Sequence, residues 1–198
     1  DGNLEIYHKQ SKSLYFNGSN TFKISKNADT TNNYNIYRTI IPNINKGTIE
    51  FWFKRDQLIT TKETLYSQTD SSNSIEIYIE NYKVYCSLNM NSIETLNISR
   101  LINNKEWNHF AFSFNSISNN SSNNLLKGYL NGINLSNISQ TLSQDFIQLN
   151  SSDIYLGSDN NTTFIKGYMK EFRLWSIERT TSEIKNNYDK SIGRNIQG

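Results

Sequence analysis

The stretch SIEIYIENY, residues 74–82, holds two carboxylates four positions apart. Side chains alternate along a strand, so Glu76 and Glu80 share a face with Tyr78 between them. Paired carboxylates on one face are the equipment of glycoside hydrolysis. By strand rise these two stand about 13–14 Å apart, beyond the separation that retaining or inverting chemistry uses. They read as two solvated charges. No Ser, His and Asp fall in an order that suggests a nucleophilic triad. The two histidines, His8 and His109, are far apart in sequence, and Cys86 is the only cysteine. That leaves no internal disulfide and no cysteine- or histidine-rich metal set. The sequence predicts a protein that is not an enzyme.

The same alternation offers a different chemistry. Ile49, Phe51 and Phe53 share one face of their strand, as do Ile75, Ile77 and Ile79, and Val84, Cys86 and Leu88. These apolar rows predict the core, with Cys86 as a small buried residue. The opposite faces then carry Glu50, Trp52 and Lys54; Glu76, Tyr78 and Glu80; and Tyr85, Ser87 and Asn89. Aromatic rings set among polar groups suit a sugar, whose C–H face stacks on a ring while nearby side chains hold its hydroxyls.

The elements that position these residues are short strands. SLYFNGSNTFKIS reads as two strands around an Asn17-Gly18 turn. Residues 27–45 read mostly as loop, with strand character at Ile36–Ile41. GTIEFWFKR, ETLYSQ, SIEIYIE, KVYCSLNM, IETLNIS and EWNHFAFSFN follow as strands, and residues 115–124 as a polar loop. LLKGYL and INLS flank Asn131-Gly132, a pair suited to a type I′ hairpin turn because both central residues take positive φ. DIYLGS and IKGYMKEFRLWS close the strand list. ERTTSEIKNNYDKS predicts the one helix. Thr180 and Glu183 have capping-box spacing, and Ile184 and Tyr188, four apart, face one side. Short strands recurring with turn signals predict an all-β sandwich.

With 198 residues and no Pro/Gly-rich linker, the chain reads as a single domain, residues 1–198. The net charge of +2 favours neither nucleic acid nor a membrane surface, and no apolar run is long enough to span a bilayer. The sequence opens without an initiator Met or a signal peptide and reads as a mature protein or an excised domain. The triplets at Asn17, Asn97 and Asn137 carry little weight as glycosylation sites in a chain this rich in Asn and Ser.

In order, SLYFNGSNTFKI, GTIEFWFKRD, ETLYSQ, KVYCSLN, NNKEWNHFAFSFN, LLKGYLNGINLS, IYLGSDN and GYMKEFRLWSIERTTSEI resemble the laminin-G-like, concanavalin A-like jelly-roll domains. The likeness spans roughly residues 13–188, leaving 1–12 and 189–198 as terminal strand or linker. The N-terminal jelly roll of the clostridial neurotoxin receptor-binding region is similar in style. The resemblance implies an all-β fold: a two-sheet antiparallel jelly-roll sandwich with a short C-terminal helix. It makes Asn131-Gly132 a structural hairpin turn. It also implies that Trp107 and Trp175 pack and that His109 is structural.

The family's usual strand order implies that Glu50, Trp52, Glu76, Tyr78, Tyr85 and Asn89 form one carbohydrate-binding surface. Relatives that cleave β-glucans carry E-x-D-x-E acids, which this chain lacks. Relatives that bind calcium use an Asp in the first turn and another in the last strand; here these are Asn17 and Lys170, and a lysine cannot ligate calcium. Asp153 and Asp159 remain as acidic alternatives, but no cofactor is expected. The resemblance thus implies a non-catalytic recognition module of a secreted or cell-surface protein that binds carbohydrate. The alternative is a protein- or lipid-receptor-binding, or purely structural, domain of a larger bacterial toxin or adhesin. Its partners would be a glycan or a cell-surface receptor and the other domains of that protein.

Overall fold

The computed structural model describes residues 13–25, 46–70, 73–90, 93–103, 105–115, 125–135 and 152–190. The strand expected at Ile36–Ile41, the loop at 116–124 and the segments 1–12 and 191–198 lie outside them. The strands are β1 (Leu14–Asn17), β2 (Phe22–Ile24), β3 (Lys46–Arg55), β4 (Glu63–Thr69), β5 (Ser74–Glu80) and β6 (Lys83–Met90). They continue as β7 (Ile93–Leu101), β8 (Asn108–Asn115), β9 (Leu125–Leu130), β10 (Ile133–Asn134), β11 (Ile154–Leu156) and β12 (Lys166–Trp175). One helix, α1 (Thr181–Asn187), follows.

The strands form two six-stranded sheets. Sheet A has the order β1-β12-β3-β8-β9-β10, and sheet B the order β2-β11-β4-β5-β6-β7, with antiparallel pairing throughout. This is the expected jelly-roll sandwich. β1 and β2 fall in different sheets, so the Asn17-Gly18 turn carries the chain across the sandwich.

The apolar rows read from strand parity face inward. Ile49, Phe51 and Phe53 of β3 and Phe110, Phe112 and Phe114 of β8 meet Ile75, Ile77, Ile79, Val84, Cys86 and Leu88 of sheet B. Full burial of each such side chain is worth about 1.5–3 kcal/mol, which is what holds two sheets face to face. Burial pushes the Cys86 thiol pKa well up, so it stays protonated and inert.

Sheet A has a second covered surface. Ile184 of α1 packs outside it on Ala111 and Tyr129, one of the chain's two alanines giving the helix room to approach. The predicted capping box is present: the Glu183 N–H donates to Thr180 Oγ1 (3.2 Å), and the Thr180 N–H donates to Glu183 Oε2 (2.7 Å). Tyr188, at the C-cap, stacks on Trp52 with ring centroids 6.0 Å apart. The Asn131-Gly132 turn lies beside this helix. Asn131 and Gly132 have φ of 51° and 75°, as the type I′ turn requires. The Asn131 side-chain oxygen also accepts from the His109 N–H at 2.8 Å.

Candidate functional site

The six residues expected to form one surface fall on two. Trp52 and Glu50 lie outside sheet A, because β3 pairs with β8 and β12. Tyr78, Tyr85, Glu76 and Asn89 lie outside sheet B, on the paired strands β5 and β6. The two outer faces point in opposite directions, so no single ligand bridges them. Strand parity assigned each side chain to the correct side of its own strand, but it carries no information on which sheet the strand joins.

Glu50 needs a second correction. Its side chain is completely buried and cannot meet a ligand. One carboxylate oxygen, Oε1, takes hydrogen bonds from the Arg179 guanidinium and the Trp175 indole, with Arg173 Nη1 3.8 Å away. The other, Oε2, lies 3.3 Å from His109 Nε2, which is also buried. Burial pushes the Glu50 carboxyl up, but His109, Arg179 and Arg173 outweigh it and hold the pKa below the usual carboxylate value. Burial is the larger influence on His109, lowering its pKa against the pull of Glu50, so the imidazole is neutral at pH 7. The cluster ties β3, β8 and β12 to the segment that leads into α1. Arg179 also reaches the Glu183 carbonyl at 3.1 Å, and Trp52 Nε1 donates to the Tyr188 carbonyl at 3.1 Å. His109 and Trp175 are thus structural. Arg173 and Glu171 pair across a bulge in which Glu171 takes φ of 51°.

The outer face of sheet B is different in kind. Tyr78 and Tyr85 are a cross-strand pair, with ring centroids 5.0 Å apart and planes within 7° of parallel. Both are half-buried. Lys62 Nζ sits 4.4 Å from the Tyr78 ring centroid and 2.7 Å from Glu76. The Thr64 hydroxyl donates to the other Glu76 oxygen at 2.9 Å. Asn89 Nδ2 donates to the Ser74 hydroxyl at 3.1 Å. Its amide oxygen has no donor among the described residues. The result is a flat aromatic pair with a charge-compensated Lys–Glu pair on one side and small polar groups on the other. Lys62 and Thr64 were not singled out by sequence, since a lysine in a turn carries no periodic signal. Glu80 lies opposite Lys83 in the β5–β6 register, at the far end of the strand.

The acidic groups weighed for calcium are already engaged. Asp153 pairs with Lys23 at 2.7 Å. Asp159 Oδ1 accepts the backbone N–H groups of Asn161, Thr162 and Thr163 at 2.9, 2.9 and 3.0 Å. Burial raises its pKa, but these donors outweigh that and hold it at about 2. Asn17 Oδ1 accepts from the Ser19 N–H and hydroxyl, both at 2.9 Å. Lys170 lies over Trp107 and Trp52. Among the described residues no group of three or more His, Cys, Asp or Glu side chains converges, and no helix is long and apolar enough to cross a membrane.

The sequence profile of a laminin G family, described as concanavalin A-like lectin/glucanases superfamily, matches residues 29–185. The chain belongs to this superfamily. No curated protein matches it by sequence. Among solved structures, this superfamily member is similar to domain 4 of AbnA, a GH43 extracellular arabinanase from Geobacillus stearothermophilus, in complex with arabinotriose. That match has 21% identity and a TM-score of 0.53, covering 72% of this chain and 66% of that one. It is similar to the Ruminococcus gnavus IT-sialidase CBM40 at 14% identity and a TM-score of 0.60, covering 88% of this chain and 95% of that one. It is similar to the botulinum neurotoxin serotype D binding domain at 14% identity and a TM-score of 0.63, covering 89% of this chain but 41% of that one. The chain thus spans under half of the neurotoxin binding domain. At these identities the likeness is one of fold.

Proposed function

We propose that this concanavalin A-like domain is a non-catalytic carbohydrate-recognition module of a secreted or cell-surface protein, and that the outer face of sheet B binds the sugar. The observation that carries the reading is the parallel Tyr78–Tyr85 pair, half-exposed and bordered by Glu76, Lys62 and Asn89. Tyr78 has both Lys62 and Tyr85 against it, so Tyr85 is the ring assigned to stack on the sugar. Asn89 supplies an acceptor for a hydroxyl proton. Lys62 and Glu76 cancel each other's charge, which suits a neutral sugar.

The fold likeness to a sialidase carbohydrate-binding module and to an arabinanase domain bound to arabinotriose supports a binding role. Catalysis finds no support: Glu76 is committed to Lys62 and Thr64, and Glu80 is four residues along the same strand. The second reading, a receptor-binding domain of a larger toxin, is favoured by the neurotoxin binding domain, which matches 89% of this chain. A glycan array probed with the wild-type protein and with Tyr85→Ala separates the two. A neutral-glycan signal that Tyr85→Ala removes is expected. A blank array for neutral glycans refutes the carbohydrate reading and turns the search to a protein receptor.

A further inference from the structure

α1 covers only part of sheet A. Beyond the helix, the outer face carries an aromatic row that crosses several strands. Tyr15 of β1 is opposite Tyr168 of β12, which is opposite Lys54 of β3; Trp107, just before β8, continues the row. Tyr15 is 47% exposed, and Trp107, Tyr168, Lys54, Trp52 and Lys170 are half-buried. Ring centroids are 4.9 Å apart for Tyr15 and Tyr168, and 6.5 Å apart for Trp107 and Tyr168. At the sheet's strand spacing the row is about 14 Å long, room for an oligosaccharide.

Two cations stand in this row. Lys170 Nζ is 4.4 Å from the Trp107 ring centroid and 5.6 Å from that of Trp52. Lys54 neighbours Tyr168 across the ladder. Neither lysine has a carboxylate partner among the described residues. Two other half-buried lysines do: Lys62 pairs with Glu76 and Lys127 with Glu178, whereas Lys83 does not. The carboxylates closest in sequence are otherwise placed. Glu171 is taken by Arg173, and Asp56 and Glu106 are exposed at the ends of the strands. A half-buried ammonium held against aromatic faces has lost part of its hydration and gains only modestly from the rings. An anion placed beside it would restore what it lacks.

We infer that the half of sheet A beyond α1 is a second saccharide site, separate from the sheet B face, and that it takes a negatively charged sugar. Tyr15, Tyr168 and Trp107 supply the stacking surface; Lys54 and Lys170 supply the charge for a carboxylate or sulfate. Trp52 is a positioning residue, its indole N–H already given to the Tyr188 carbonyl.

The test uses the full chain and three acidic probes: trigalacturonate, 3′-sialyllactose and a heparin tetrasaccharide. Lactose serves as the neutral control. All three tryptophans of the chain lie on the sheet A side, so tryptophan fluorescence reports this face and is silent to binding on sheet B. At least one acidic probe is expected to change the fluorescence, with affinity that falls as salt rises, while lactose does not. A carboxylated or a sulfated probe acting alone identifies which anion is read. Lys54→Gln combined with Lys170→Gln should weaken binding at least tenfold with an unchanged melting temperature, and Tyr85→Ala should leave it intact. The inference is overturned if no acidic probe binds, if lactose gives the same response, if the double variant binds like wild type, or if Tyr85→Ala abolishes the signal. The neutral-glycan array result on sheet B is independent of all four.

Discussion

Replacing Glu50 with Gln tests the buried cluster under α1. The carboxylate has no exposure and takes charged partners from Arg179 and Arg173, with His109 beside it. The amide keeps the shape but removes the charge, leaving the buried Arg179 guanidinium without its anion, while Arg173 keeps Glu171. Removing one member of a buried ion pair costs about 3–5 kcal/mol. For a chain of this size each kcal/mol lowers the melting temperature by about 2–4 °C, so the expected drop is about 6–20 °C. Urea melts followed by tryptophan fluorescence give both the midpoint and the slope, since Trp52 stacks on Tyr188 at the end of the helix and the Trp175 indole donates to Glu50 itself. Glu76→Gln is the control. Its partner pair with Lys62 is partly solvated, and the loss should stay near or below about 1 kcal/mol.

The cluster also fixes a pH dependence. Glu50 and His109 both have folded-state pKa values below their ordinary ones. The unfolded chain therefore binds more protons than the folded one as pH falls. His109 contributes its stability in full above its unfolded value near 6.5 and loses it as pH drops toward its folded value; Glu50 does the same below 4.5. Wild-type stability should thus decline from pH 7 toward pH 4, and Glu50→Gln should flatten the more acidic part of that decline. A loss under about 1 kcal/mol at pH 7 would refute the description of Glu50 as a buried anion.

The other predictions concern turn, cap and metal. Changing Asn131-Gly132 to Ala-Ala forces two L side chains into positive φ, sets a Cβ 2.8 Å from Tyr188, and removes the bond to the His109 N–H. A chemical melt should show at least about 2 kcal/mol lost, with neutral-glycan binding retained once the protein is folded. Thr180→Ala removes the side-chain half of the capping box, the oxygen that accepts from the Glu183 N–H, and should cost about 1 kcal/mol, read by the same melt. EDTA should leave the melting temperature and neutral-glycan binding unchanged, because Asp153 and Asp159 are committed to Lys23 and to backbone N–H groups; a calcium-dependent rise would refute this.

Local patterns in the sequence were enough for the strands, the inward rows and the cap. Alternation placed Phe51 and Ile77 in the core, and Thr180-x-x-Glu183 placed the start of α1. β5 and β6 are neighbours, joined by the two-residue Asn81-Tyr82 turn; their adjacency was expected only from the family's strand order. Sheet membership was not legible. Trp52 pairs with His109 and Lys170, and these partners lie far along the chain, where no local period links them. Glu50 looked solvated because it alternates with core residues. It is buried because residues 173–184 fold back over it, and Arg179 has no spacing that announces a partner more than a hundred residues away. One signal was present. A helix with Ile184 and Tyr188 on one side needs a surface to cover, and the rare Ala111 beside His109 marks where it lies. The split between the two faces, and with it the aromatic row around Lys170, needed the three-dimensional pairing.

The most direct test of the carbohydrate reading is chemical-shift mapping of the isotope-labelled protein with a neutral oligosaccharide found on the array. Binding should move the amides of residues 74–80 and 83–89, with Tyr78, Tyr85 and Asn89 among the largest shifts, and the same titration of Tyr85→Ala should be flat. Shifts confined to β3, β8 and β12, or none at saturating sugar, would contradict the assignment of this face.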